Sequence, residues 1–316
     1  MKIYTDLSYY TSINKTFVTI GTFDGVHVGH QKVLSNLVQN AKKNNASSVL
    51  LTFFPHPRMV LQKNAGIKLI NTIDERIKLL KKTGLEILVI HEFTKDFAEK
   101  TSLDFVKNVL VDNLKISNLI IGYDHRFGKD REGNFEQLTA FGKNFGFKVS
   151  KIPQQEIDHI TISSTKIRKA IELGNIEEAN RYLGYYFMLT GEVVKGKNLG
   201  EKIGFPTANI SIKETYKLLP KTGSYVVKAE LENETVYGMM NIGYNPTVKG
   251  KNQTIEIHFF DFNKDLYGKN IQIDVLIFLR EEQKFDSVED LKNQLQKDKE
   301  KSLEIIKNNH FDLKIH

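Results

Sequence analysis

The sequence predicts an α/β protein of two domains: a doubly wound parallel sheet, followed by an antiparallel β-barrel that a helix closes. Strand and helix signals alternate over about the first 180 residues, which is typical of a parallel sheet with helices on both faces. After Gly184 strand signals follow one another with no helix signal between them, and a helix signal comes only after the last strand. A glycine-rich turn with two histidines, Gly21–His30, joins the first long strand signal to a helix signal.

The elements of the first half follow from their hydrophobic periodicity. Short runs rich in Val, Ile, Leu and Phe predict strands at 17–21, 48–53, 86–90, 118–122 and 147–152. Apolar residues at helical spacing predict helices at 31–43, 74–82, 102–114 and 135–145. In such Rossmann-like sheets ligands bind at the carboxyl ends of the strands, and the unusual polar residues of this half lie at those ends.

The second half predicts an antiparallel sheet, either a barrel or a sandwich, of which we expect the barrel. Its strands are predicted at 186–194, 224–231, 235–242, 253–260 and 271–279, and its closing helix at 287–297. Turns with Gly or Asn separate the strands. A predicted helix at 175–183 precedes them, so we place the domains at 1–183 and 184–316.

The composition is that of an ordinary globular protein, with 40% hydrophobic and 26% charged residues. No apolar run approaches the ~18 residues of a membrane span, and the N-terminus lacks the apolar run of a secretion signal. The absence of cysteine fits a cytoplasmic protein. The net charge of +7 is spread over many lysines, so we expect no nucleic-acid partner and no membrane partner. A homo-oligomer is left open.

The first motif with chemical content is Gly21–His30, which lies between a strand and a helix N-terminus. Free N–H groups and the helix dipole make such a terminus suitable for a phosphate chain. His27 and His30 could donate hydrogen bonds to charge that grows during phosphoryl or nucleotidyl transfer. The motif is neither a P-loop nor a G-x-G-x-x-G fingerprint. The alternative is a glycine-rich turn with two incidental histidines.

Two further polar segments follow strands of the first domain. His56 lies between two prolines, which restrict its backbone. The segment 122–133 offers Asp124 as a hydrogen-bond acceptor and Phe127 as a ring on which a flat ligand could stack. The alternative for His56 is a rigid loop without a binding role, and the alternative for 122–133 is an ordinary polar loop.

A third segment opens a predicted helix, with Ser163 or Ser164 as its N-cap. Arg168 lies about one turn further along and could bind the β- and γ-phosphates of a nucleoside triphosphate. Pyrophosphate would then leave in line with attack on the α-phosphorus. Ordinary capping with an exposed arginine is the alternative.

The second domain carries a glycine-rich loop, in which Gly196, Gly200 and Gly204 recur every four residues. Bare backbone there could surround phosphate oxygens. Thr207 and Asn209 follow in an extended segment and point to the same side. Their hydroxyl and amide oxygens suit a hard cation that triphosphate oxygens and water complete. A flexible hairpin loop is the alternative.

Glu256 lies on a predicted strand of clean alternation, Thr254–Phe259. Ile255 and Ile257 face one way, whereas Glu256 and His258 face the other. Glu256 could accept a proton from a hydroxyl nucleophile. A solvated charge on a barrel strand is the alternative.

His-Val-Gly-His at 27–30 resembles the HxGH nucleotidyltransferases, which transfer AMP or CMP from a nucleoside triphosphate. Over essentially its whole length, the chain resembles the bacterial bifunctional riboflavin kinase/FMN adenylyltransferases, or FAD synthetases. The adenylyltransferase resemblance rests on residues 21–30, 54–57, 122–133 and 163–168. The kinase resemblance rests on 191–209, 241–247, 256–258 and 278–285.

This resemblance implies a role for each matched residue. ATP phosphates in the first domain would contact His27, His30, Ser164, Thr165 and Arg168, and the same nucleotide site includes Gly21, Phe23, Asp24 and Gly25. The flavin side of that site would include His56, Asp124 and Phe127. In the kinase site Thr207 and Asn209 would hold Mg²⁺ with ATP, beside Gly196, Gly200 and Gly204. Glu256 would activate the ribityl hydroxyl of riboflavin, and Arg280 would contact or close over ligand.

The predicted enzyme makes FMN from riboflavin in the second domain and FAD from FMN in the first, with ATP in both steps. One alternative is a riboflavin kinase whose adenylyltransferase site has decayed. Another is a flavin- or nucleotide-binding regulator without turnover. A basic nucleic-acid binder, whose binding would be sensitive to salt, is the third.

Overall fold

The computed structural model describes residues 1–10, 14–62, 66–122, 126–152, 162–196, 199–247, 250–309 and 311. The chain divides into two compact units. The first comprises Met1–Lys68 and Ile73–Ser163, and the second comprises Leu69–Thr72 and Ser164–Ile315. Within the described residues, no helix is both long and apolar enough to cross a membrane.

The first unit is built on a parallel sheet. Its strands are β1 (Lys2–Tyr4), β2 (Thr16–Ile20), β3 (Ser47–Phe53), β4 (Ile87–His91), β5 (Ile116–Ile121) and β6 (Lys148–Lys151). They lie in the order β1-β4-β3-β2-β5-β6, and every paired neighbour is parallel. All five residues of β2 are buried, as expected of a strand in the middle of a parallel sheet.

Helices connect these strands. They are α1 (Val28–Lys43), α2 (Pro57–Leu61), α3 (Ile73–Lys81), α4 (Lys95–Ala98), α5 (Ser102–Asp104) and α6 (Phe135–Phe145), and α5 continues as a π-helix over Phe105–Asn113. α1 packs on β2, β3 and β5 through the buried side chains of Leu34 and Leu37. On the other face, Val106 and Leu110 of the π-helix belong to one core with Val18 and Leu119.

The second unit is a closed antiparallel barrel, in the order β10-β11-β8-β7-β12-β9. Its strands are β7 (Phe187–Val194), β8 (Ala208–Ser211), β9 (Gly223–Leu231), β10 (Glu234–Thr247), β11 (Gly250–Phe259) and β12 (Asn270–Arg280). Its helices are α7 (Ser164–Leu173), α8 (Ile176–Leu183), α9 (Leu199–Lys202) and α10 (Val288–Asn308). The predicted fold class, with a barrel and a closing helix, is confirmed.

Two helices ahead of the barrel belong to the same unit. α7 packs on α8, and α8 packs on β7 and β12. The buried side chain of Asn180 accepts a hydrogen bond from the backbone of Phe187 (2.7 Å) and donates one to the carbonyl of Val275 (2.9 Å). Phe187 and Val275 are the last pair of the β7–β12 ladder, so this amide caps the ladder where α8 meets the barrel.

Several bounds differ from the sequence prediction. α1 begins at Val28 and not at residue 31, because His27 caps it. α10 extends to Asn308, since Ile305 and Ile306 in its last turns pack on the barrel. The short strands β1 and β8 were not predicted. β8 has four residues, and so short a run carries little hydrophobic periodicity.

Candidate active sites

The first candidate site lies at the carboxyl edge of the parallel sheet. The chain runs from β2 to β3 on one side, and β5 pairs with β2 on the other side. Strand order therefore reverses between β2 and β5, the position at which open α/β sheets bind ligands. The Gly21–His30 turn follows β2 directly.

His27 connects this turn to the helix. It is the N-cap of α1, and the backbone N–H of His30 donates a hydrogen bond to its Nδ1 (3.3 Å). With Nδ1 as acceptor, a neutral His27 carries its proton on Nε2. The preceding turn places Phe23, Gly25 and Val26 at φ values of 47°, 87° and 34°. A β-branched residue such as Val26 rarely adopts a positive φ, and strain of this kind concentrates at functional sites.

The rings of His27 and His30 stack, with centroids 3.6 Å apart, and His30 also lies against Phe23. Burial, followed by the charges of His27 and Arg76, holds the pKa of His30 well below its ordinary value. His30 is therefore neutral at pH 7. Its Nδ1 is buried and has no hydrogen-bond partner in the structure. A buried polar atom without a partner costs about 1–3 kcal/mol, which a ligand that binds this atom would recover.

Arg76 is a buried site residue that the sequence analysis missed. Its side chain is 1% exposed, and Nη1 donates a hydrogen bond to the carbonyl of Thr22 (2.8 Å). Nη2 lies 4.0 Å from the carboxylate of Asp24, which is fully buried. Arg76 thus holds two residues of the turn and places a positive charge beside His30.

The structure also describes His56 and Phe127, two of the residues predicted for the flavin side of the first site. His56 caps the short helix α2, and its Nδ1 accepts a hydrogen bond from the backbone of Arg58 (3.1 Å). Phe127 is buried in the core against Phe105 and pairs with the backbone of Gly133. Asp124 lies outside the described residues. The flavin roles of all three stay predictions.

Ser164, Thr165 and Arg168 belong to α7, which is part of the second unit. Ser164 and Arg168 are half-buried, whereas Thr165 is exposed. Their role toward ATP phosphates stays a prediction.

The second candidate site is a row of polar residues across the barrel. Glu256 of β11 lies opposite Asn209 of β8 on one side and opposite Asn241 of β10 on the other. Asn241 in turn lies opposite Ser224 of β9. Directly opposed residues on antiparallel strands have Cβ atoms about 4.5–5.5 Å apart and share one face. A carboxylate and two amides therefore stand side by side.

This row lies on the outer face of the barrel. Ile255 and Ile257, which flank Glu256, are buried, as alternation requires of residues that face the interior. Met239 and Phe260, on the same face as Glu256, form a cluster with Leu295 of α10. The predicted alternation of β11 is confirmed, and α10 covers part of the face that carries Glu256.

Each glycine of the predicted phosphate loop has its own structural reason. A Cβ at Gly196 would overlap the amide of Asn209, and one at Gly200 would overlap the carbonyl of Phe205. Gly204 has a φ of 86°, which favours glycine. The loop is also partly helical, since Leu199–Lys202 form α9. The backbone of Gly196 thus lies against the side chain of Asn209, a predicted metal-binding residue.

A pocket of about 330 Å³ lies beside Thr207. Its apolar lining includes Phe259, Phe262, Leu266 and Tyr267. Aromatic and aliphatic walls beside a hydroxyl are typical of sites for flat organic ligands.

Arg280 has well-defined partners in the second unit. Its Nε and Nη2 donate hydrogen bonds to the carboxylate of Asp298 on α10 (3.0 and 2.7 Å), and Nη1 donates to the carbonyl of Glu281 (2.9 Å). The pair connects β12 to α10. A ligand contact by Arg280 stays a prediction.

Known proteins resemble this chain over both units. A family model described as FAD synthetase matches residues 10–166, and one described as riboflavin kinase matches residues 183–306. Bifunctional riboflavin kinase/FMN adenylyltransferases of Listeria monocytogenes and Haemophilus influenzae are each 39% identical, over 92% and 90% of this chain and 92% of each relative. The chain belongs to this family.

The family prediction from the sequence is therefore confirmed. The family member of Escherichia coli strain K12 is 35% identical over 89% of this chain and 90% of that protein. A solved structure named as a macrolide-efflux protein from Streptococcus pneumoniae is 32% identical, with a TM-score of 0.87, over 95% of this chain and 98% of that one. That similarity supports the fold across both units.

Enzymes of this family use ATP with a divalent metal ion, and the donors at the second candidate site fit one. Thr207 and Asn209 offer a hydroxyl and an amide oxygen, and a side chain at position 196 would fill the space against Asn209. Within the described ranges, no three His, Asp or Glu residues cluster as a complete metal site. Such a site would need further ligands, which the phosphates of ATP and water would supply.

Proposed function

We propose that this family member phosphorylates riboflavin to FMN in its second unit and adenylylates FMN to FAD in its first unit. The observation that carries the proposal is that each family match contains its own polar site. The first contains the His27–His30 pair and the second contains the opposed Glu256 and Asn209. Riboflavin, FMN, FAD and ATP are the proposed ligands.

In the kinase reaction we assign Glu256 as the base. Its carboxylate accepts the proton of the ribityl 5′-hydroxyl while that oxygen attacks the γ-phosphorus of ATP and the bond to ADP breaks. Asn209 lies directly opposite Glu256 on the neighbouring strand, and its amide orients the phosphates of ATP beside this carboxylate. The aromatic pocket beside Thr207 takes the adenine. Thr207 and Asn209 would hold the metal ion, which neutralises developing charge on the phosphates.

In the adenylyltransferase reaction the histidines stabilise charge. An oxygen of the FMN phosphate attacks the α-phosphorus of ATP, and the bond to pyrophosphate breaks. That oxygen is already ionised, so the step needs no general base. The N-terminus of α1 and Nε2–H of His27 donate to the phosphate oxygens, and so does the unpartnered Nδ1 of His30 in the tautomer that carries its proton there. A role of Arg168, Ser164 and Thr165 toward phosphate stays a prediction from their motif.

We propose Mg²⁺ as the ion for both steps, because it prefers oxygen ligands, which the phosphates of ATP offer in both reactions and Thr207 and Asn209 offer in the kinase site. A cytoplasmic location stays a prediction from the sequence. A homo-oligomer stays an alternative to a single chain.

The test is to separate flavins after the protein is incubated with riboflavin, ATP and Mg²⁺, and again with FMN as substrate. We expect FMN and then FAD. Glu256→Gln should be blocked only from riboflavin, and the double variant His27→Ala/His30→Ala only at FAD. FMN as the sole product would restrict the function to the kinase, and unchanged flavin with folded protein would refute both assignments.

A further inference from the structure

We infer that His258 is a positioning residue of the kinase site, which holds the backbone before Thr207 so that the Thr207 hydroxyl meets the metal–ATP complex. The inference rests on the kinase function proposed above. It assigns a role to a side chain that shares the face of Glu256 but takes no part in the proton transfer.

The first argument is where strand pairing ends. β8 pairs with β11 at Asn209 opposite Glu256 and at Ala208 opposite Ile257. The next pair would be Thr207 opposite His258, but the regular ladder stops before it. There the His258 ring lies with Nδ1 2.9 Å from the carbonyl of Pro206. A side-chain hydrogen bond thus continues the connection between the strands just beyond the last backbone pair.

The second argument is the protonation state of the ring. A carbonyl oxygen only accepts hydrogen bonds, so Nδ1 of His258 must carry a proton. Burial and the charge of Lys299 lower the pKa of His258, against opposing effects of the Pro206 carbonyl and Asp261. The ring is therefore neutral at pH 7, and its single proton is on Nδ1. A neutral imidazole in this tautomer makes a permanent donor to the backbone.

The third argument is that the ring is held in place. His258 is 8% exposed, and Phe205 and Phe260 approach it edge-on with centroids 5.3 and 5.9 Å away. Phe205 and Phe260 also pack with Met239 in the cluster beneath α10. Glu256, two residues earlier on the same face, is half-exposed. His258 therefore acts through Pro206 and Thr207 and not on the substrate.

The consequence concerns ATP more than riboflavin. Thr207 lines the apolar pocket and is the residue directly after the held carbonyl. If this carbonyl is released, the Thr207 hydroxyl moves relative to Asn209, whose backbone the ladder still holds. The affinity for metal–ATP should then fall, while the base Glu256 stays in register.

The experiment compares His258→Leu, which removes the donor, with His258→Asn, whose amide N–H lies where Nδ1–H does. Both are made in the full chain. Kinase kinetics are measured with ATP and riboflavin varied separately, Mg·ADP binding is measured by calorimetry, and thermal unfolding is recorded for each variant. FMN adenylylation by the same preparation is the internal control, because its site lies in the other unit.

For His258→Leu we expect KM for ATP and Kd for Mg·ADP to rise about tenfold, the loss expected from one hydrogen bond. KM for riboflavin should change less than threefold, and His258→Asn should restore most of the affinity. A Leu variant with lower Tm but unchanged KM for ATP and unchanged Kd would overturn the inference, as would failure of Asn to rescue. If the wild type does not phosphorylate riboflavin, the kinase function fails, and Mg·ADP binding still tests His258.

Discussion

Glu256 of β11 and Asn209 of β8 lie directly opposite each other across two antiparallel strands. The two residues belong to motifs that are far apart in the sequence, and the pairing of β8 with β11 places them side by side in one row. Because directly opposed residues share a face, the carboxylate of Glu256 and the amide of Asn209 lie next to each other on the barrel surface. Asn241, on the other side of Glu256, extends the row.

This arrangement predicts that Glu256→Gln abolishes the kinase reaction without affecting FAD formation from FMN. An amide has the shape of the carboxylate but cannot accept the hydroxyl proton, and loss of a general base lowers rates by about 10²–10⁴-fold. Initial rates from riboflavin and from FMN measure the two reactions separately. Glu230→Gln, an exposed carboxylate on β9, is the control and should keep both rates. A Glu256→Gln enzyme within threefold of the wild type would remove Glu256 from the chemistry.

The sequence was sufficient for the fold class and for the motifs, but not for the pairing within the barrel. The alternation of residues along a strand predicts on which face of its own strand each of Glu256 and Asn209 lies. Which residues oppose each other depends on register between distant strands, and local periodicity does not contain that information. The extension of α10 was missed for a similar reason, because Ile305 and Ile306 gain their role only from the barrel surface that they cover.

Arg76 was missed although a signal was present. The run Ile73–Lys81 reads as an ordinary amphipathic helix. Within it, Arg76 stands at helical spacing from Ile73, Leu79 and Leu80, on the apolar stripe and not on the solvated face. A charged residue in that position, with a glycine-rich turn upstream, indicates a buried ion pair.

We predict that Arg76→Met lowers FMN adenylylation and destabilises the first unit. The substitution leaves the carbonyl of Thr22 and the carboxylate of Asp24 without the guanidinium that now contacts them. Loss of one partner from a buried charge pair costs about 3–5 kcal/mol. Thermal unfolding gives the stability, and the riboflavin kinase rate of the same preparation should persist.

Arg76→Lys is the informative companion to this variant. Lysine keeps the charge but lacks the planar fork that reaches both Thr22 and Asp24. We therefore expect intermediate stability and a lower rate of FAD formation. Full activity in both variants would show that the buried arginine has no part in organising the turn.

The depressed pKa of His30 predicts a loss of stability on mild acidification. Below its ordinary value of 6.5 the unfolded chain binds a proton at His30, whereas the folded chain does not until its lowered pKa is reached. Over that window the free energy of unfolding falls by at most about 1.4 kcal/mol per pH unit. Above pH 6.5 this contribution is constant.

Calorimetric unfolding at pH 7.5, 6.5 and 5.5, compared between wild type and His30→Gln, measures this contribution. Glutamine does not titrate, so the variant should lose less stability between pH 6.5 and pH 5.5 than the wild type does. His258 has a lowered pKa as well and contributes with the same sign in both proteins, so it cancels from the difference. Equal pH dependence in the two proteins would mean that His30 is not the buried neutral group described above.

The ion pair between Arg280 and Asp298 predicts that α10 docks on the barrel through a charge contact as well as through its apolar face. The side chain of Asp298 is 6% exposed and accepts from Arg280 and from Gln294. Asp298→Asn should lower the free energy of unfolding by about 3 kcal/mol, measured by thermal unfolding. Glu300→Gln, which removes an exposed carboxylate two residues along α10, should change it by less than about 0.5 kcal/mol.

The same pair of residues decides between two roles for Arg280. If Arg280 serves only to hold α10, Arg280→Lys and Asp298→Asn should lower the kinase rate by similar factors, because both weaken one contact. If Arg280 also contacts ligand, as the family motif predicts, Arg280→Lys should lose rate beyond what Asp298→Asn loses. The difference should then appear as a higher KM for riboflavin or ATP, whereas a docking role alone lowers the active fraction and leaves KM unchanged.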